Sequence, residues 1–551
     1  MSGGRRLVWF RTQAFQACDP GFKSRRPHFC VHTQDTKVTH VPTDIHSACK
    51  KLLAKTKDLL ILQSAEGIIH WDMETLMPPR AIEQRSLQLA LLSRIKHKMS
   101  TAGDIGLLLN AILKHSQYDA LSTMEKRNVH LIKKDYDEQT ALPEKLVTET
   151  AKQQAVTVNT WKKAKATQNY ALLKPELEKL VNLNRKIAKI LMKVKEAATP
   201  YDALIDLFEP KMTAATITTV FSQLQKGLTS LLEKIQDAPN QPDTTMLSLN
   251  VPVETQRQIA KALTEALGYD VVSPNAAGRI DETEHPFTTG YYDDVRITTH
   301  YYPNNFTSAI FSTLHETGHA LYEQSLPQEW KYQPIGSTCS YGIHESQSRF
   351  TENIIGRSRE FWAGFIPKLK KTASPSLTSL RLEPFVRAIN SVKPSKIRIE
   401  ADEVTYCTHI IIRFQIESEL FANKIEVNQL PEIWNQKYKE YLGVNIDNDS
   451  EGVMQDTHWA SGLYGYFPSY ALGNIYSGQM LARIKEDIPG WRIQLAKGNL
   501  RSIRQWLTEN VHSQGDLYDP VELIRKITGK KLDAEPYLNY LEEKYCMLYG
   551  F

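Results

Sequence analysis

The sequence predicts a mainly α chain with one small β-sheet, and three observations carry that prediction. From Ala48 onward the apolar residues recur mostly at three- and four-residue steps, the spacing of one helix face. Strict alternation is rare, with its best instance at 294–301. Chain breakers gather at 238–243, 272–290 and 326–343, so loops bracket that strand and the segment after it.

Taken in order, the first forty residues stand apart. They hold Arg5, Arg6, Arg11, Lys23, Arg25, Arg26 and Lys37 against only Asp19 and Asp35, with Leu7, Val8, Trp9, Phe10 and Phe15 between the cations. That is the composition of an organelle transit peptide, and a secretory signal would need a longer uninterrupted apolar stretch. The alternative is a solvated tail without an address. The segment 50–62 reads as a helix, and the charged stretch 124–170 as further, mostly exposed helix. Leu177, Leu180, Val181, Ile187, Ile190, Leu191 and Val194 mark another, with Pro175 expected in its first turn. At 294–301, Val295 and Ile297 alternate with Arg296 and Thr298. A proline-free segment follows from Phe306 to Glu323, which Asn304 or Asn305 can cap. A helix then begins near Gly342, and Val404, Cys407, Ile411 and Phe414 repeat the helical spacing.

Composition narrows the classes. With 41% hydrophobic and 23% charged residues in 551, this is ordinary globular material, and length alone allows about three domains. Runs such as Ile410-Ile411-Ile412 are far too short to span a membrane. Of 67 basic and 62 acidic residues, residues 1–40 take seven and two, leaving 60 of each sign in the body. A balanced body argues against nucleic acid as a partner. Six cysteines without a CxxC pair read as reduced thiols of an intracellular protein.

The chemistry lies in 306–323. His315 and His319, four apart on one helix face, can reach one metal ion, and Glu316 beside the first can hold a water at it. This is the His-Glu-x-x-His arrangement of zinc metallohydrolases. A third ligand is required. The metzincin histidine would fall at position 325, which is Ser325, so that class is excluded. Downstream, His344, Glu345 and Glu352 are all of suitable type. Spacing does not choose among them, and the common fate of such a glutamate is a solvated ion pair with a residue such as Arg349.

From Trp71-Asp72-Met-Glu74-Thr-Leu-Met-Pro78-Pro79 to the C-terminus, the chain resembles the M32 family of metallocarboxypeptidases, the carboxypeptidase Taq family. Around the His-Glu-x-x-His helix stand His285-Pro286-Phe287, Asp294-Val-Arg296-Ile-Thr298, His344-Glu345-Ser346-Gln347, Ile397-Arg398-Ile-Glu-Ala401-Asp402 and Gly452-Val-Met-Gln455-Asp456-Thr-His458-Trp459 in the family's order. The resemblance implies Glu345 as third ligand. It also implies a neurolysin-like, two-lobed helical fold with a deep central cleft. Residues 41–551 would form a single peptidase domain, with about 41–140 as one side of the cleft. One Zn²⁺ per chain is implied, with Co²⁺ used by some members, along with peptide substrates, broad specificity and a homodimer.

On this reading Glu316 is the general base of peptide hydrolysis. The aromatic stretch 462–470 follows His458, and His458 and Tyr466 are the candidates for stabilising the oxyanion; buried aromatic packing is their bland alternative. Release of C-terminal residues calls for a guanidinium to bind the terminal carboxylate. Arg398 is the first choice and Arg296 the second, although Arg296 could equally pair with Asp294. The strand at 294–301 could offer an edge for an extended peptide. The competing readings are a helical oligopeptidase cutting internal bonds and a catalytically inactive peptide-binding scaffold. The location expected is intracellular: a mitochondrion or plastid if residues 1–40 are an address, otherwise the cytoplasm.

Overall fold

The computed structural model describes residues 44–551, so the expectation for residues 1–40 lies outside the described residues. Its first four helices are α1 (Ile45–Thr75), α2 (Ile82–Ser100), α3 (Gly103–Leu113) and α4 (Thr123–Ala141). They make an arm with a core of its own. Ile45, Ala48, Cys49 and Leu52 of α1 meet Ile105, Leu108, Leu109 and Ile112 of α3 and Val129 and Ile132 of α4. The helix expected over 50–62 is therefore longer. It begins where the Asp44 carboxylate accepts the Ser47 N–H, and it ends shortly before Pro78. A capping box of Ser122 and Glu125 starts α4.

The stretch 124–170 divides into α4 and α5 (Glu144–Ala166) at Leu142, because a residue preceding proline disfavours helix. Both helices bury one face, α5 through Val147, Thr150, Ala151, Gln154, Thr157 and Ala164. The helix α6 (Tyr170–Val194) starts five residues before Pro175. The proline sits in the second turn, not the first, and forgoes the bond to the carbonyl of residue 171. Then follow α7 (Pro200–Ile205), α8 (Ala214–Asp237) and α9 (Val253–Leu267).

The sheet comprises β1 (Gly278–Glu282), β2 (Thr288–Tyr291) and β3 (Asp294–Thr299) in the order β1-β3-β2. β3 pairs with β1 in parallel and with β2 antiparallel. This corrects the edge-strand expectation: the strand legible in the sequence is the central one, and both its edges are occupied. Its partners are four and five residues long, one inside and one at the end of the glycine- and proline-marked stretch 272–290, which conceals them.

The remaining helices are α10 (Phe306–Gln324), α11 (Tyr341–Arg349), α12 (Arg359–Thr372), α13 (Leu382–Ile389), α14 (Tyr406–Phe421), α15 (Leu430–Leu442), α16 (Pro468–Asp487), α17 (Trp491–Ala496), α18 (Arg501–Asn510), α19 (Pro520–Thr528) and α20 (Glu535–Tyr549). A π-helical turn, Phe350–Ile355, continues α11. One large hydrophobic core runs through this body from Ala164 to Tyr549. Asn305 is the N-cap of α10, but its side chain accepts from the Thr307 hydroxyl and not from a backbone N–H.

Two sets of contacts dock the arm on the body. Trp71 of α1 lies against the guanidiniums of Arg279 and Arg296, 4.6 and 4.3 Å from its ring centre. At the other end, Arg127 of α4 donates to the Asp516 carbonyl and to the carboxylates of Asp516 and Asp519. Between them is a cavity of about 260 Å³, with Leu59, Lys96 and His130 on the arm side and Phe208, Tyr341 and His344 on the body side.

Candidate metal centre and active site

Helix α10 is buried along nearly its whole length, and His315, Glu316 and His319 are 5%, 0% and 1% exposed. Two glycines permit the packing around it. A Cβ on Gly318 would fall 2.4 Å from the Gln347 carbonyl oxygen, so the missing side chain lets α11 lie directly against α10. A Cβ on Gly473 of α16 would fall 2.8 Å from Glu345 Cγ. Glu345 is thereby held between α10 and α16. The side chain of Ser340 caps α11 by accepting the Ile343 N–H and so sets the direction of that helix.

His315, His319 and Glu345 converge, with one ligand atom from each lying within 4.8 Å of the others. Glu345 Oε2 is 3.7 Å from His315 Nε2 and 3.4 Å from His319 Nε2. The other oxygen, Oε1, accepts from Arg349 Nε at 2.8 Å, which turns Oε2 toward the imidazoles. The ion pair with Arg349 weighed as the bland fate of Glu345 thus exists, but it is buried and orients the ligand. Glu352, a ligand candidate by type, instead accepts from His315 Nδ1 at 2.7 Å, which leaves Nε2 for a metal. His344, the third candidate, lies 3.1 Å through Nε2 from Glu323 and stacks on His319 with ring centres 4.4 Å apart. The remaining buried atoms fit a metal ion as well. Neither ring nitrogen of His319 and not Glu316 Oε1 has a hydrogen-bond partner among the described residues.

The charge states follow from this arrangement. Burial pushes the Glu345 carboxyl up, but Arg349 and His315 prevail and hold it well below its ordinary value. Burial presses His315 down, yet Glu345 and Glu352 raise it overall. Burial and the neighbouring His344 lower His319 to about 3, so it is a neutral imidazole ready to ligate. Burial lifts the Glu316 carboxyl to about 7, the range of a general base working near neutrality. Thr288 of β2, which the sequence did not single out, donates to Glu316 Oε2 at 2.6 Å, while Oε1 has no hydrogen-bond partner among the described residues.

His458 and Tyr466 stand together in an aromatic cluster, their rings stacked at 5.5 Å. Tyr470, a further phenol of the same stretch, lies 3.2 Å from His458 Nε2 and packs on Tyr466. Burial, then Tyr470, then Tyr341 and Glu345 push the Tyr466 phenol far up, so it is a neutral donor.

Arg398 is buried. Its Nη2 donates to Asp456 at 2.8 Å and its Nη1 to the Tyr406 hydroxyl at 3.2 Å. Arg413 meets the same Asp456 carboxylate at 2.7 Å, so two guanidiniums share one acid and the group carries one excess positive charge. Tyr406 connects this group to the ligands, since Arg349 stacks on its ring at 4.1 Å. Arg296 is placed otherwise. It forms a two-pronged pair with Asp294 at 2.7 and 2.8 Å and faces Trp71. Alternation along the sheet puts it with its neighbour Thr289 toward α1, whereas Thr288 points to Glu316 on the opposite face. Of the two readings of Arg296, the pair with Asp294 is the one present, and its contact with Trp71 adds docking of the arm.

A buried His-His-Glu set beside a hydroxyl-held glutamate has the ligand types and the base that a metallopeptidase centre requires, here in a helical scaffold. The sequence profile described as "Carboxypeptidase Taq (M32) metallopeptidase" matches residues 51–545. Carboxypeptidase 1 of Bacillus subtilis is 38% identical over 507 residues, 92% of this chain and 99% of that one. Thermostable carboxypeptidase 1 of Thermus thermophilus is 38% identical over 511 residues, again 92% and 99%. The crystal structure of an M32 carboxypeptidase from Deinococcus radiodurans superposes with a TM-score of 0.87 at 35% identity, covering 92% of this chain and all of that one. The chain belongs to the carboxypeptidase Taq (M32) family of metallopeptidases.

Proposed function

We propose that this M32 metallocarboxypeptidase removes single residues from the free C-termini of peptides, with Zn²⁺ held by His315, His319 and Glu345. The observation that carries the exopeptidase reading is the buried Arg398–Asp456–Arg413 group, whose excess positive charge suits a substrate carboxylate. Zinc at this site supplies a Lewis acid that polarises the scissile carbonyl and acidifies water. Glu316 takes the proton of the attacking water at Oε1 and passes it to the leaving amine, while Thr288 holds Oε2. His458 and Tyr466 donate to the oxygen that gains charge. Arg398 fixes the terminal carboxylate, which selects the last peptide bond, and the cavity beneath the arm takes the rest of the chain.

Paired peptides with free and amidated C-termini test this reading. Cleavage of the free acid should exceed that of the amide by about a hundredfold or more, the order expected when a charged anchor is lost. Equal cleavage of both would overturn it in favour of an endopeptidase. The homodimer implied by the resemblance is also part of the proposal. Leu87, Leu91 and Ile95 form an exposed row at four-residue steps on α2, which a second copy would cover. Sedimentation equilibrium reads that directly. No helix of the described residues is long and apolar enough to cross a membrane. An intracellular location is proposed, with residues 1–40 as the address to a mitochondrion or plastid.

A further inference from the structure

His458 and Tyr466 lie in 455–466, a succession of turns between α15 and α16 with no regular helix or strand to hold them. Gln154 and Lys165 of α5 donate to its Ser461 and Gln455 carbonyls and Arg398 to Asp456, and one face of α14 grips it at both ends. Arg413 donates to Gln455 Oε1 at 2.9 Å and to Asp456 Oδ2 at 2.8 Å. One turn later, Glu417 Oε1 accepts the indole N–H of Trp459 at 2.7 Å, and Oε2 accepts the backbone N–H of Gly465 at 2.7 Å. The Tyr201 hydroxyl of α7 also donates to Oε2, at 2.8 Å. Arg413 and Glu417 are both fully buried. The two loop groups that Glu417 grips are the immediate neighbours of His458 and Tyr466. Gly465 is at φ +81, and a Cβ there would fall 2.7 Å from the backbone of Leu204 and Ile205, so the turn is pressed against α7 at that point.

A fully buried carboxylate is costly, and an apolar side chain of similar volume would join helix to loop at least as stably. What a carboxylate adds is direction: it fixes two N–H groups six residues apart. We infer that Glu417, with Arg413 one turn before it, is a positioning residue for the hydrolysis, setting the placement of His458 and Tyr466 through Trp459 and Gly465. This inference rests on the reading that His458 and Tyr466 serve the reaction.

The test is steady-state kinetics on a small peptide, with metal content and Tm, for Glu417→Gln, Trp459→Phe and Tyr201→Phe, run beside His458→Ala and Tyr466→Phe. Glu417→Gln turns an amide N–H toward a donor, and Trp459→Phe deletes one gripped group. Both should lower kcat by about 10- to 100-fold with KM within about twofold and full metal content, as misplacement of a catalytic group does. Tyr201→Phe removes a hydrogen bond from the same carboxylate but outside 455–466. It should lower Tm comparably while leaving kcat within about twofold. The inference is overturned if Trp459→Phe and Glu417→Gln keep wild-type kcat, or if kcat merely follows Tm across all three. Should Glu417→Gln fail to fold, Trp459→Phe against Tyr201→Phe decides alone. If His458→Ala and Tyr466→Phe retain full kcat, the reading of the site falls and this inference with it. If those two lose activity and Trp459→Phe does not, only the positioning role falls.

Discussion

Replacing Thr288 by valine removes one hydroxyl and nearly nothing else, and it bears on how Glu316 works. The hydroxyl donates to Glu316 Oε2 at 2.6 Å, and both side chains are buried, so no solvent stands ready to replace it. A hydrogen bond to a charged group contributes about 1.5–3 kcal/mol. Its loss corresponds to about a 10- to 100-fold fall in kcat. KM should change little, because Thr288 makes no contact with the proposed carboxylate site. Metal content should stay at the wild-type level, because the hydroxyl touches none of His315, His319 and Glu345. The bond also lowers the Glu316 pKa against burial, so without it the acidic limb of the kcat/KM profile should move to higher pH. Stopped assays across pH 5–9, with metal quantified by plasma mass spectrometry, measure all three quantities. Wild-type kcat together with an unmoved acidic limb would refute the role given to Thr288, and loss of metal would show that it supports the ligands instead.

The other predictions concern the ligands and the helix that carries Glu345. Glu352→Gln weakens the partner of His315 Nδ1, and metal affinity should fall about 10- to 100-fold in competition with a chromogenic chelator. Gly473→Ala places a Cβ 2.8 Å from Glu345 Cγ, and overpacking of this kind costs about 1–3 kcal/mol. Both Tm and metal affinity should drop, and an unchanged metal affinity would mean that Glu345 has room to yield. Glu209 is fully buried, accepts the Gly342 N–H at the start of α11, and is raised to about 7 chiefly by burial. Between its unfolded pKa near 4.5 and about 7 the folded state keeps a proton that the unfolded state has lost. Its share of stability, at most about 3 kcal/mol, is therefore present below pH 4.5 and lost as pH rises to 7. Glu209→Gln should flatten that part of the Tm-against-pH curve, and an identical slope in wild type and variant would contradict the shift.

How much of this was legible in the sequence follows from where each group comes from. His315, Glu316 and His319 sit on one helical turn, so spacing alone brings them together. Glu345 arrives from another helix, where three candidates stood within nine residues and only the family resemblance chose. The structure supplies the reason in Gly318 and Gly473, which clear the space for it. Thr288 was hidden because β2 is four residues long inside a stretch that reads as loop. For Arg296 both a substrate contact and a pair with Asp294 stood open, because a strand shows its side chains as a pair of faces and a sequence does not say which face meets the metal centre; the pair with Asp294 is present. Glu417 was not singled out, because its burial against Trp459 and Gly465 is purely tertiary. The arm as a separate part came from the family resemblance, and its own core was not legible, since nothing local told that Ile45 and Leu52 would meet Ile105 and Ile132.

The central claim is metal-dependent release of single C-terminal residues through His315, His319, Glu345 and Glu316. Its most direct test is mass spectrometry of a peptide digested over time by the purified enzyme, by the chelated enzyme, by the chelated enzyme given back Zn²⁺, and by Glu316→Gln. A ladder losing one residue at a time from the C-terminus, abolished by chelator, restored by Zn²⁺ and absent in a Glu316→Gln protein that still binds metal, is the predicted result. Internal fragments, or a ladder that persists in the chelated or Glu316→Gln enzyme, would contradict it.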